Sequence, residues 1–341
     1  MYSFRYDYSE GCHPAILQAL QKTNLEQQPG YGNDEYSVEA KRILKNLTGY
    51  QSAAIHFISG GTQTNLIVIQ AVLQSFEAVI SADTGHIYVN EAGAVESTGR
   101  KIIAVKNTKG KLTPQDIQQV VDAHDHYPHV VKPKLVYISN ATEIGTIYTK
   151  QELTAISKSC KKNNLYLFMD GARLGAALAS VYNDVTLKDI ARLTDVFYLG
   201  GTKNGALLGE AVVINNKELQ TDFEFHLKQR GALLAKGRIL GIQFLTLLQD
   251  DLFVQNARYA NKCAENIAAA AKKEGYVFLT PPQTNQLFII LPDTQIKKLQ
   301  KKYEFYIWKK IDNKHAAIRI VTSWATEMQI VEALINDLKK E

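Results

Sequence analysis

The sequence predicts an α/β protein: a large domain with a mostly parallel, seven-stranded-type sheet covered by helices on both faces, followed by a smaller α+β C-terminal domain. Two observations carry this reading. From Ala53 to Ile214, short apolar runs of strand length alternate with helical patterns, the arrangement that parallel strands with crossover helices produce. Beyond Ile214 the order changes to two helical stretches and then a group of strands, which suits a second layer with helices on one side. A chain of 341 residues, 45% hydrophobic and 21% charged, is long enough for both.

Taken in order, residues 1–12 are polar and aromatic and read as an irregular arm. Pro14–Thr23 reads as a helix with proline in its first turn. PGYGNDEY (29–36) is a loop, and Val38, Ile43, Leu44 and Leu47 then recur at helical spacing over Tyr36–Leu47. Strand candidates follow at Ala53–Ile58, Ala78–Ser81, Lys101–Val105, Leu135–Ser139, Leu165–Met169, Asp195–Leu199 and Glu210–Ile214. Helical patterns at Leu66–Gln74, Pro114–Ala123 and Lys150–Lys161 separate them. Helices over Gly237–Leu248 and Leu252–Lys273 lead to strands at Tyr276–Leu279, Leu287–Leu291, Tyr306–Trp308 and Ala317–Val321, then a last helix, Glu327–Lys340. The expected division is an N-terminal arm and helices over 1–45, a large domain over 46–248 and a small domain over 249–341.

Composition narrows the function classes. The net charge of +5 is scattered, and its lysine pairs (such as Lys161/Lys162 and Lys301/Lys302) are interspersed with acidic residues, which speaks for solvated helix faces and against a nucleic-acid partner. The longest apolar run, Leu66 to Leu73, is too short to span a bilayer. Cys12, Cys160 and Cys263 have neither metal-ligand spacing nor an even-numbered framework, so a reducing, cytoplasmic location is expected and no metal is.

In parallel sheets ligands sit beyond the carboxyl ends of the strands. The residues at those positions are Asp83, Gly85 and His86, with Glu91 a little later; Asn140, Thr142 and Glu143; Asp170, Gly171, Ala172 and Arg173; and Thr202 and Lys203. Each has an ordinary explanation. Lys203 could be a hairpin tip among Gly200, Gly201, Asn204 and Gly205. Asp170 and Arg173 could be a helix cap and a surface ion pair, and His86 a loop histidine. The SGGTQTN turn (59–65) suits an anion at a helix N-terminus, although plain capping by Thr62 or Thr64 would look the same. Joint placement at one sheet edge favours a cofactor. Pyridoxal 5'-phosphate needs a lysine, a carboxylate for its pyridine nitrogen, an anion site and a ring on its face, and Lys203, Asp170, the Gly61/Thr62 turn and His86 meet these in turn.

At DGAR (170–173), the Gly61-Thr62 turn, HIYVNEAG (86–93) and the lysine turn followed by LLGEAVV, the chain resembles the threonine aldolase and β-eliminating lyase family, pyridoxal-phosphate enzymes of the aspartate-aminotransferase fold type, from Ser9 to Ala325. The resemblance implies a lyase that cleaves the Cα–Cβ bond of small β-hydroxy amino acids through an aldimine at Lys203, yielding glycine and acetaldehyde from L-threonine or L-allo-threonine. It also implies a homodimer or homotetramer with active sites at subunit interfaces. Lys203, His86 and Asp170 would be catalytic; Gly61, Thr62, Thr202 and Arg173 would join them around the cofactor. Ser9, Arg173 and Arg319 would hold the substrate carboxylate, Tyr31 would reach a neighbouring subunit's phosphate, and His129 or His126 would supply a second histidine. His86, or a water it holds, would take the hydroxyl proton.

Two segments depart from the family pattern. The lysine turn reads GGTKNGALLG rather than S-K-G-L-G, and KQRGALLAKGR (228–238) replaces G-G-G-M-R-Q, which leaves the roles of Lys228, Arg230 and Lys236 open. β-Elimination and transamination use the same residues and stand as alternatives, with a non-catalytic cofactor-binding protein as a further one.

Overall fold

The computed structural model of the protein describes residues 1–106 and 109–340. Its strands, in chain order, are β1 (Tyr2–Ser3), β2 (Ala54–Ile58), β3 (Glu77–Ala82), β4 (Lys101–Val105), β5 (Lys132–Ser139), β6 (Tyr166–Asp170), β7 (Val196–Gly200), β8 (Glu210–Ile214), β9 (Val277–Phe278), β10 (Gln286–Pro292), β11 (Tyr303–Glu304), β12 (Tyr306–Lys310) and β13 (His315–Val321). Seven form the central sheet in the order β2-β8-β7-β6-β5-β3-β4. The pairs from β7 across to β4 are parallel, and β8 alone runs antiparallel to both its neighbours.

Side chains alternate between the two faces of a strand, and here both faces are buried. Ile80, Val136, Ile138, Leu167, Met169, Phe197 and Val213 belong to one apolar cluster. Their neighbours Val79, Leu135, Tyr137, Phe168, Val196, Tyr198 and Val212 belong to another on the opposite face. That is why the strands read as continuous apolar runs. A third cluster, around Ile267, Leu287, Ile289, Ile318 and Val331, fills the space between the four-stranded antiparallel sheet β12-β13-β10-β9 and its helices.

Two expected elements differ. The helix expected over Leu66–Gln74 is Gly61–Val72, beginning directly beyond β2 after an extended Gly60. Its first residues are polar because they face the edge of the sheet, so apolar periodicity starts only at Leu66. Its far end stops short of Gln74, where Arg100 donates from Nη2 to the carbonyls of Gln70 (3.2 Å) and Leu73 (2.9 Å) and so satisfies the last turn.

The N-terminal arm is also more regular than expected. β1 pairs in parallel with β11 in the small domain, and Phe4 is buried there. Three residues on, Asp7 is buried against the large domain: Arg173 donates to its carboxylate from Nε (2.7 Å) and Nη2 (3.0 Å), and Asn285 donates from Nδ2 (2.9 Å). The arm therefore ties β6 to β10. Burial works against the charged form of Asp7, but Arg173, with Lys203 beyond it, outweighs burial and holds the carboxyl below its ordinary value. With the folded value below the unfolded one, the pair's contribution is complete above about pH 4 and is lost as pH falls through the folded value. Asp7→Asn leaves a buried guanidinium without its counter-charge and is expected to cost about 3 kcal/mol at pH 7 in denaturant unfolding, the gap closing as the pH is lowered below about 4. Equal stability at pH 7 would contradict this account of the pair.

Candidate active site

The carboxyl ends of β2, β3, β5, β6 and β7 point to one edge of the central sheet, and antiparallel β8 begins there. β6 and β7 approach each other closely just past their ends. A Cβ on Gly171 would lie 1.6 Å from the carbonyl oxygen of Tyr198, and one on Gly200 would lie 2.4 Å from that of Ala172. Glycine at these two positions is what lets the Asp170 and Lys203 segments lie side by side.

Asp170 is almost fully buried (3% exposed), and every bond it accepts comes from a different direction. Tyr137 on β5 donates its hydroxyl to Oδ2 (2.5 Å), Asn65 donates Nδ2 to the same oxygen (3.0 Å), and the Ala172 amide donates to Oδ1 (2.9 Å). Burial alone would raise the Asp170 carboxyl, but these hydrogen bonds, Tyr137's foremost, keep it below its ordinary value and so anionic. The Asn65 amide also donates to Glu91 Oε1 (2.8 Å), which pairs with His86 Nδ1 (2.8 Å). A line of contacts thus runs from His86 through Glu91 and Asn65 to Asp170. Burial disfavours a charged His86, yet the Glu91 contact more than compensates and raises its pKa, while burial raises that of Glu91.

Lys203 lies in the connection between the antiparallel neighbours β7 and β8, half-buried, and lines the site rather than standing at an exposed tip. Burial, with the Arg173 charge close by, lowers its pKa and favours the neutral, nucleophilic amine. Thr202 fixes the same loop: its hydroxyl accepts from the Gly209 amide (3.0 Å) and donates to Glu210 Oε1 (3.0 Å). Burial pushes the Glu210 carboxyl up, and its other oxygen has no partner among the described residues.

Two adjoining cavities share Lys203, His86, Glu143 and Tyr8. The smaller, about 250 Å³, reaches Gly61, Thr62, Asp170, Tyr198 and Thr202. Among the described residues no side chain caps the helix that begins at Gly61, neither Thr62 nor Thr64, so its first amides have neither an intrahelical nor a side-chain acceptor, an arrangement that suits an anion. The buried Tyr198 hydroxyl faces the same space. A lysine, an anionic carboxylate and an anion-binding turn around one cavity fit pyridoxal phosphate. The larger cavity, about 440 Å³, holds Arg173 and Arg319 and opens between Tyr6, Tyr306 and Trp308. Arg173 spends two of its five donors on Asp7; Arg319 donates to the Arg5 carbonyl (3.0 Å), and its Nε has no partner among the described residues.

Lys203, Asp170, His86, Gly61, Thr62, Thr202, Arg173 and Arg319 therefore come together. Ser9, His129 and Tyr31 do not. Ser9 is exposed, and the arm presents Tyr6 and Tyr8 to the cavity instead, because Asp7 turns inward to Arg173. His129 is exposed beside His126 in the connection leading to β5, with ring centroids 5.0 Å apart. Tyr31, at a positive φ of 60°, borders a separate small cavity with Lys41 and His56, under the Lys228 ammonium (4.7 Å). Sequence reasoning missed Asp7, Tyr8, Asn65, Tyr137 and Glu210 as parts of the site. Asn285, just before β10, is buried and donates to Asp7.

Residues 4–294 match the family described as Beta-eliminating lyase. A low specificity L-threonine aldolase of Pseudomonas aeruginosa is 33% identical, the match covering 98% of this chain and 96% of that protein. The solved structure of a threonine aldolase from Leishmania major superposes with a TM-score of 0.97 at 46% identity, covering 99% of this chain and 98% of that one. An aspartate aminotransferase of Thermus thermophilus, at 13% identity and a TM-score of 0.72, shares the fold. With the lysine, the carboxylate and the anion turn in one cavity, these matches make the chain a member of the Beta-eliminating lyase family, a pyridoxal-phosphate-dependent lyase on the aspartate-aminotransferase fold.

Proposed function

We propose that the protein cleaves the Cα–Cβ bond of small β-hydroxy amino acids, converting L-threonine and L-allo-threonine to glycine and acetaldehyde. The observation that carries the reading is the pairing of a depressed-pKa Lys203 with an anionic, buried Asp170 across one cavity, in a chain whose relatives named above are threonine aldolases.

Pyridoxal phosphate, when bound, supplies a sink for the electron pair released at the substrate's α-carbon. Lys203 would hold it through its amine. Asp170, kept anionic by Tyr137 and Asn65, would face its pyridine nitrogen. The amides at Gly61 and Thr62 would hold its phosphate, with Thr202 in the same wall, and His86, fixed by Glu91, would form the wall beside it. Arg173 and Arg319 hold the substrate carboxylate in the larger cavity; the fork of a guanidinium suits that group, and two fixed points orient the bond to be broken.

We further assign an arm and helices over 1–45, a large domain over 46–248 and a small one over 249–341, supported by the separate apolar cluster of the C-terminal sheet. A homodimer or homotetramer with sites at the interfaces is supported by exposed Leu17, Leu25, Val38 and Phe225, and Tyr31 with Lys228 is assigned to a neighbouring subunit's site. A cytoplasmic location is supported by three unpaired cysteines; among the described residues no helix is long and apolar enough to cross a membrane.

Incubation of the holoenzyme with L-threonine should yield acetaldehyde and glycine in equal amounts; pyruvate and ammonia from serine, with no aldehyde from threonine, would move the assignment to β-elimination. Asp170→Asn should still bind cofactor but lose turnover by about 100-fold or more, since the positive ring is no longer supported by a fixed charge. Wild-type turnover in that variant would remove Asp170 from the role.

A further inference from the structure

The turn from Asn140 to Thr146, beyond β5, is tied down on every side. Thr142 accepts at its carbonyl from the Gly145 amide (3.0 Å) and donates its own amide to the Thr146 carbonyl (2.8 Å). Thr280 donates to the Ile144 carbonyl (2.9 Å), Thr284 to that of Gly145 (3.2 Å), and the Tyr148 amide donates to the Asn140 side chain (3.2 Å). Gly145 takes a positive φ of 77°, where a Cβ would stand 3.0 Å from the Gln286 carbonyl. Each residue of the turn is buried except Glu143. That side chain lines both cavities and makes no hydrogen bond or ion pair with any described residue. It shares the space with Lys203 from the hairpin, His86 from beyond β3, Arg173 from beyond β6, Arg319 from β13 and, behind it, Tyr137 from β5. His86 has its Nδ1 committed to Glu91, which leaves only its other ring nitrogen to face the substrate. A rigidly mounted carboxylate has both oxygens available to accept a proton.

We propose that Glu143 is the catalytic base that accepts the substrate's β-hydroxyl proton. The role rests on the aldol-cleavage reading above. As the hydroxyl O–H bond breaks, an O–H bond forms on Glu143; the oxygen's electrons make the carbonyl of the departing aldehyde, and the Cα–Cβ pair stays with the α-carbon, drawn by the cofactor. Glu143 afterwards returns its proton to solvent, and the α-carbon takes one up, so that glycine and aldehyde together contain the atoms of the substrate.

The test is Glu143→Gln in the holoenzyme, read in two reactions. Exchange of the glycine α-proton in deuterated water needs the cofactor, Lys203 and both arginines but no β-hydroxyl base. The variant should keep the visible band and glycine affinity of wild type, exchange glycine within about threefold, and release acetaldehyde from L-threonine about 100-fold or more slowly. Glu143→Asp should recover part of the cleavage rate. Threonine cleavage within about threefold of wild type would overturn the role, as would a parallel loss of exchange and cleavage, which marks a structural residue. A wild-type protein that releases no aldehyde would overturn the reaction assignment and this role with it.

Discussion

The site depends on a carboxylate placed where water cannot reach it. An unpaired charge in a protein interior is costly, and Asp170 is held as an anion only because a tyrosine from β5, an asparagine from the helix after β2 and an amide beyond β6 all donate to it. Those three partners require the helix to begin directly at the strand end and Tyr137 to point to the same sheet face as Tyr198. Asn65, with both amide protons spent on Asp170 and Glu91, also sets the position of His86. One electrostatic requirement therefore fixes the anion turn, the histidine and the carboxylate relative to one another.

A second buried carboxylate does for the substrate side what Asp170 does for the cofactor side. Asp7 takes two donors of Arg173 and one of Asn285, so the guanidinium is oriented by the arm and the arm is anchored to both sheets. Arg5 and Tyr6, on either side of the anchor's path, reach Arg319 and Tyr306 of the small domain. The larger cavity is thus closed by a segment that contributes little to either core beyond Phe4. Rigid mounting of the two arginines is the condition for selecting which bond at the α-carbon lies in line for cleavage.

The fold was legible because its strands are buried on both faces and its helices between them are amphipathic, and residues directly beyond strand ends, such as Asp170, Lys203 and His86, could be collected from that pattern alone. The Gly61-Thr62 turn and Arg173 were collected in the same way, the resemblance added Arg319, and the structure brings these to the same cavities. What could not be read depends on contacts between distant segments. Asp7 pairs with a residue far along the chain, and no periodicity in the arm marks it as buried. Ser9 was expected from the resemblance alone, whereas the inward turn of Asp7 decides that Tyr6 and Tyr8 face the cavity. Asn65 was hidden by the helix boundary, since a start at Leu66 leaves it in a loop. His129 was offered for the family's second histidine, but the connection leading to β5 keeps it at the surface. Glu143 was visible at its strand end; what marks it out is the hydrogen-bonded turn that carries it, which only the fold reveals.

The account stands on Lys203 being the residue that holds the cofactor. Borohydride reduction of the holoenzyme followed by peptide mass mapping tests this directly. The reduced pyridoxyl phosphate adduct should be found on the peptide carrying Lys203, in an amount matching the loss of the visible band. An adduct on any other lysine, or a bleached protein with Lys203 unmodified, would contradict it.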